Sequence, residues 1–185
     1  MRNIIVSMAV SLDGYFAGPN GEIDWHVLDE ELHEYVMVLL NSIDTLIFGR
    51  VTYQGMAATW PTPAALKNDP EVAAKMNELS KIVYSRSLEK VEWQNSRLLK
   101  EIDPIEIQKW KQQPGKDMAI SGGVVVSAFT KLGLIDEYRL IYHPVVLGSG
   151  LPLFQDFKER VHLQLFRTKI FKSGLALLSY RPVRP

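Results

Sequence analysis

The sequence predicts an α/β fold: a mainly parallel, twisted sheet with helices on both faces, closed by a C-terminal antiparallel hairpin. Three observations predict it. Strand-like runs alternate with helical patterns from Ile4 to about Leu132. Asp-Pro pairs and a Pro-Gly stop punctuate the helices, and from Glu137 onward only strand-like runs remain. Strand-helix-strand alternation implies parallel neighbours, because parallel strands need crossover connections.

The elements follow in order. Ile4 to Val10 and Thr45 to Phe48 are β-rich runs, each followed by Gly and polar residues that mark an exit from the sheet. Between them Leu28, Leu32, Val36, Leu39, Leu40 and Ile43 recur at helical spacing, with Asp29, Glu30, Glu31, His33 and Glu34 on the complementary positions. Asp69-Pro70-Glu71 and Asp103-Pro104-Ile105-Glu106 each place a capping Asp before a Pro suited to the first helical position, so both open helices. Strands follow at Lys81 to Ser85 and, after Pro114-Gly115, at Asp117 to Ser121; Gly122-Gly123 leads into a helix ending near Leu132. Glu137 to Tyr142, Val161 to Lys172 and Leu175 to Arg181 read as strands, with Lys172-Ser173-Gly174 short enough for a hairpin turn. Trp60 to Asn68 is expected to be an exposed loop.

Composition narrows the function. With 185 residues, the chain fits one domain of the usual ~100–150-residue scale. Lys plus Arg and Asp plus Glu both number 21, so no net field attracts polyanions or anionic lipid, and neither nucleic acid nor a membrane is expected as a partner. The absence of Cys excludes disulfides and thiolate metal sites and suits a cytoplasmic, reducing setting. The start of the chain is too short and too interrupted by polar residues for a signal peptide or span. His26, His33, His143 and His162 are too scattered for a metal site and read as surface or packing residues.

Four segments carry candidate chemistry. Phe48-Gly49-Arg50-Val51-Thr52 is a strand-to-helix corner where free N–H groups, the positive helix end, a guanidinium and a hydroxyl suit an anion. Ile120-Ser121-Gly122-Gly123-Val124 is a second such corner, and two together suit the pyrophosphate of a dinucleotide, although no Gly-x-Gly-x-x-Gly fingerprint occurs. Tyr84-Ser85-Arg86-Ser87 pairs a fixed charge with hydroxyls, a mix that suits a phosphate monoester; a solvated Arg in a polar loop is the equal alternative. Ser11-Leu12-Asp13-Gly14-Tyr15-Phe16-Ala17, running on to Gly21 and Trp25, is a Gly-rich loop of the kind that closes over a cofactor, with Trp25 as a pocket wall; ordinary turns at Asp13-Gly14 and Asn20-Gly21 are the alternative.

Taken in order, Ser11-Leu12-Asp13-Gly14, Asp44 through Gly49-Arg50-Val51-Thr52, Gly122-Gly123, and Gly133-Leu134-Ile135-Asp136-Glu137 through Pro144-Val145-Val146-Leu147-Gly148-Ser149-Gly150 resemble one family. It is the riboflavin-biosynthesis reductase domain, the C-terminal domain of the bifunctional deaminase-reductase, within the dihydrofolate-reductase-like superfamily. The resemblance implies a three-layer fold over 1–185 as one domain, NADPH at the carboxyl edge of the sheet, and homodimers. By resemblance Gly49, Arg50 and Thr52 form one cofactor-phosphate turn, and Ser121, Gly122 and Gly123 the second. Ser85 and Arg86 hold the adenosine 2′-phosphate, and Ala9 and Val10 line the nicotinamide pocket. Asp13 lies on the substrate side, and Trp25 and Gly148 shape the substrate pocket. The riboflavin enzymes usually carry a Lys four positions before the Ser of Ser-Leu-Asp-Gly, where this chain has Ser7. The His-Cys-Cys zinc site of the partner deaminase cannot form without Cys.

These expectations describe an NADPH-dependent oxidoreductase that passes a hydride to a small heterocycle of aminopyrimidine or pterin type, like 5-amino-6-(5-phosphoribosylamino)uracil reductase. A carboxylic acid with a raised pKa in a dry pocket would supply the proton, with Asp13 first and Glu30 second; Asp29 competes with Glu30, and each acid also has a purely structural reading. An NADP(H)-binding protein without turnover, a dihydrofolate reductase proper, and an interaction protein without ligand stay open as alternatives.

Overall fold

The computed structural model describes residues 1–183. Its elements are β1 (Ile4–Ser11), β2 (Tyr15–Ala17), α1 (Glu30–Ser42), β3 (Ile43–Gly49), α2 (Arg50–Thr59), α3 (Pro63–Asn68), α4 (Pro70–Glu78), β4 (Ser80–Tyr84), β5 (Ser96–Leu99), α5 (Pro104–Gln112), β6 (Asp117–Ser121), α6 (Gly123–Lys131), β7 (Glu137–His143), β8 (Leu151–Pro152), β9 (Leu163–Ile170) and β10 (Ala176–Pro182). The main sheet has the order β5-β4-β3-β6-β1-β7-β10-β9. Every pair from β5 to β7 is parallel, and β10 alone runs antiparallel to both its neighbours.

The capping grammar sets the helix starts. Asp29 accepts the N–H of Leu32 at 2.7 Å and Asp103 that of Ile105 at 2.8 Å, while Pro70 and Pro104 open α4 and α5 behind their Asp caps. The same grammar overturns the expected loop at Trp60 to Asn68: Thr62 caps the N–H of Ala65 at 3.2 Å ahead of Pro63, and α3 forms. The other departures are short or terminal. Ile43 belongs to β3 rather than to the helical stripe, because α1 passes into the strand with no loop and Ile43 is already extended (φ −115°). The Gly-rich N-terminal loop contains β2, which pairs with β8 as a two-stranded ribbon.

Alternate residues of the buried strands feed cores on both faces of the sheet. On one face Leu46, Phe48 and Val83 meet Leu39 and Leu40 of α1, Tyr53 of α2 and Met76 of α4. On the other, Ile4, Val6, Ile47 and Ile120 meet Ile107 of α5 and Val126 and Phe129 of α6. Each such side chain, removed from water, contributes about 1.5–3 kcal/mol. Helices on both faces hold the sheet still, so the strand ends of β3, β6 and β1 are fixed points from which loops project.

Candidate active site

β3 and β6 are neighbours, with Phe48 opposite Ser121, and each passes into a helix through a glycine cap, Gly49 at the end of β3 and Gly122 just after β6. Neither Gly49 nor Gly122 offers a side-chain cap, so the first-turn N–H groups of α2 and α6 are left for another acceptor. The corners touch. A Cβ on Gly122 would lie 2.5 Å from the Thr52 Oγ1, and its φ of +108° is one that side-chain-bearing residues rarely adopt. Arg50 is exposed beside this junction and donates to the Gln54 side chain at 3.0 Å.

Gly123 lies in a different setting. A Cβ there would meet Phe16 Cε1 at 2.5 Å, the Pro152 carbonyl at 3.0 Å and Gln155 Nε2 at 3.1 Å, so the β2–β8 ribbon covers the start of α6. Ser121 donates its hydroxyl to the Ser7 carbonyl at 3.2 Å, and the Gly122 N–H faces the Met8 sulfur at 3.4 Å. The rim is therefore open at α2 and roofed at α6.

One strand further out, Gly49 pairs with Tyr84, which puts Arg86 on the same rim as Arg50. Arg86 is exposed; Ser85 is buried, and its hydroxyl accepts the N–H groups of Ser87 (3.3 Å) and Leu88 (3.0 Å), so it shapes the turn. On the other side, Ala9 pairs with Ile141 and Val10 with Tyr142. Ala9 is partly open, whereas the Val10 side chain is sealed in the α6-side core and leaves only its backbone to a ligand.

Asp13 behaves as a strut. Its carboxylate accepts the Ser11 hydroxyl at 2.6 Å, the Gly148 N–H at 2.7 Å and the Leu147 N–H at 3.2 Å, tying the first loop to the 144–150 segment. The Ser11 hydroxyl above all, then Gly148 and Leu147, hold its pKa below the ordinary Asp value. That shift runs opposite to the raised pKa a proton donor needs. Gly148 shares this link, with φ +74°. Glu30 is exposed in the first turn of α1, while Asp29 is committed as the cap.

Trp25 contacts two residues that the sequence reading assigned to surface or packing, His26 and His143, at ring-centroid distances of 4.4 and 5.2 Å. His143 ends β7 opposite Ser11 and is 1% exposed. The sequence held one hint: an ionisable ring at the end of a strand, just before the Pro144–Gly150 segment. A hollow of about 1100 Å³ lies elsewhere, bounded by Tyr53, Ala57, Leu88 and Trp93. No helix among the described residues is long and apolar enough to cross a membrane.

Known proteins share this architecture. The RibD C-terminal domain profile matches residues 2–177. YyaP, an uncharacterized protein of Bacillus subtilis (strain 168), is 37% identical over 188 residues, covering 97% of this chain and 94% of its own. A putative riboflavin biosynthesis protein from Shewanella sp. PV-4 superposes with a TM-score of 0.76 at 24% identity, over 100% of both chains. Dihydrofolate reductase from Enterococcus faecalis, solved with NADP(H), superposes with a TM-score of 0.64 at 16% identity, over 97% of this chain and 96% of that one. The fold is thus dihydrofolate-reductase-like, and the chain belongs to the RibD C-terminal domain family.

Proposed function

We propose that this protein is an NADPH-dependent reductase that reduces a small heterocycle of aminopyrimidine or pterin type at the carboxyl edge of its sheet. The observation that carries the reading is the contact between the Gly49 and Gly122 corners, which brings two uncapped helix starts to one place. The described residues fit a dinucleotide there: a cradle that a Cβ at Gly122 would fill, with Arg50 on one side and Arg86 one strand out.

Bound NADPH would supply the hydride. The rest is the chain's own work. Gly49, Thr52 and Gly122 hold the diphosphate, Arg50 and Arg86 neutralise phosphate charge, and the Arg86 guanidinium selects the 2′-phosphate. Ser121 ties β6 to β1 beside the second turn, Gly123 lets the ribbon pack close over the start of α6, Ser85 sets the Arg86 turn, and the Ala9 and Val10 backbone edges the nicotinamide. Asp13 positions the Leu147–Gly148 loop; Glu30 is exposed in the first turn of α1.

A homodimer fits the far end of the sheet, where β9 exposes Leu165, Phe166 and Ile170. A cytoplasmic setting fits a chain without Cys.

Thermal shift with the two nicotinamide cofactors tests the reading, because a ligand bound to the folded state adds RT ln(1 + [L]/Kd) to stability. NADPH should raise Tm well above NADH, and Arg86→Gln should bring the two together. Equal, negligible shifts with both cofactors would remove the assignment. The lowered pKa of Asp13 favours one second reading, an NADP(H)-binding protein without turnover; it predicts the same thermal shift but no loss of reduced-nicotinamide absorbance with any pterin or pyrimidine.

A further inference from the structure

His26 and His143 stack with their centroids 5.1 Å apart and their planes 24° apart, and Trp25 closes over both edge-on. The Nδ1 of His143 accepts the Val27 N–H at 3.1 Å. A neutral imidazole that accepts at Nδ1 carries its proton on Nε2. That Nε2, and the Nε2 of His26, are both buried and have no hydrogen-bond partner.

Buried polar atoms in folded proteins nearly always find partners, so two orphans in one cluster call for a reason. Their place suggests one. His143 ends β7 beside Ser11, on the α1 face, and Val27 packs into the cluster of Leu32, Ile141 and Phe171 below it. The charge state is equally specific. Burial lowers the pKa of His26, and burial followed by His26 lowers that of His143 to about 4, so both rings are neutral at neutral pH. Burial and the neighbouring imidazole, rather than a cation, set these shifts. The one side-chain hydrogen bond of Trp25 among the described residues is local, from its Nε1–H to the Glu22 carbonyl at 3.2 Å, and the backbone bonds before Val27, Gly18 to Glu22, Gly21 to Gly18 and His26 to Ile23, are local too. A side chain held by ring contacts and one local bond can turn without breaking a strand-to-strand hydrogen bond.

We propose that the Trp25–His26–His143 cluster is the acceptor-binding wall of this site. It takes a planar, uncharged heterocycle bearing a carbonyl or ring nitrogen, to which His143 Nε2–H donates when the Trp25 indole swings aside. The proposal rests on the reductase reading and narrows it: a neutral imidazole N–H can donate to a carbonyl or ring nitrogen but, unlike a guanidinium, neutralises no phosphate, so uncharged rings are favoured over phosphorylated ones. The space the indole leaves is bounded by both imidazoles, which meet an aromatic ring there as they meet the indole, at right angles.

The test is a titration of the NADPH-loaded protein with 7,8-dihydropterin and, separately, with 5-amino-6-(5-phosphoribosylamino)uracil, read by imidazole 15N chemical shifts and tryptophan fluorescence. Dihydropterin should move the Nε2 resonances of both histidines and quench a fluorescence component that is absent in Trp25→Phe. His143→Asn keeps an acceptor for the Val27 N–H but removes Nε2; it should weaken dihydropterin at least tenfold while Tm and NADPH affinity hold. The wild-type titration stands even if that variant folds poorly. Unmoved histidine resonances with dihydropterin bound, tighter binding of the phosphorylated compound, or no binding of either ring overturns the inference. Failure to bind NADPH at all, seen first in the same titration, overturns the reductase reading instead.

Discussion

The two edges of the main sheet use charge in opposite ways. At the amino edge nearly every charge is consumed by the backbone. Arg2 donates to the Lys116 carbonyl at 2.6 Å and pairs with Asp44, which also accepts the Lys116 N–H at 2.8 Å. Asp136 accepts the Ile4 N–H at 2.9 Å and the Lys111 Nζ at 2.6 Å, and Lys111 also donates to the Leu134 carbonyl at 2.7 Å. At the carboxyl edge Arg50 and Arg86 stand exposed beside uncapped helix starts, and two imidazole nitrogens are buried without partners. One edge is finished by its own side chains, and the other is complete only with a ligand.

The largest expected effect breaks the finished edge. Lys111→Met removes a buried cation from beside Asp136, where loss of one member of a buried pair typically costs about 3–5 kcal/mol. The urea midpoint should fall accordingly, while NADPH affinity of the folded fraction stays put. A loss under about 1 kcal/mol would mean that the amino edge is not stapled as described.

Acid probes the unfinished edge. The folded pKa of His143, about 4, lies below its ordinary 6.5, so the unfolded chain takes up the proton first. The stability tied to this ring is fully present above pH 6.5 and is lost as pH falls through about 4, on the order of 2–3 kcal/mol. Denaturation curves from pH 7 to 4 should show a shallower loss for His143→Asn than for the wild type. Identical slopes would place the titration elsewhere.

Gly122→Ala sharpens the comparison, because strain and function coincide there. The φ of +108° and the Thr52 hydroxyl against the new Cβ predict a loss of about 1–3 kcal/mol by thermal melting, together with weakened NADPH binding. Arg86→Gln has the smallest effect on folding, within about 0.5 kcal/mol, as befits an exposed side chain. Calorimetry should nonetheless show NADPH weakened about tenfold, a change of about 1.4 kcal/mol, with NADH unaffected.

What could be read from the sequence was whatever short-range rules control. Asp69-Pro70 and Asp103-Pro104 announced α4 and α5, and Gly49 and Gly122 announced the corners, because caps and left-handed turns are written in adjacent residues. β2, β5 and β8 were invisible: they span two to four residues and exist through pairing with distant chain, as when Tyr15 meets Pro152. The same holds within the site. Asp13 was legible as a site residue but its partners Leu147 and Gly148 were not, and His143, read as surface or packing, gave no sign of the Val27 N–H on its Nδ1.

The first strand lies deep inside the sheet, with Ile5 beside Ala119 on one side and Glu137 on the other. A ribosome that has released β1 must therefore synthesise more than a hundred further residues before either flanking strand exists. Ile4, Ile5 and Val6, all sealed in the finished protein, are exposed throughout that interval. Nascent chains halted short of β7 are thus expected to recruit holdase chaperones through this apolar leader, and folding of the complete chain to be slow for its size, since closing such long loops precedes the contacts that reward it.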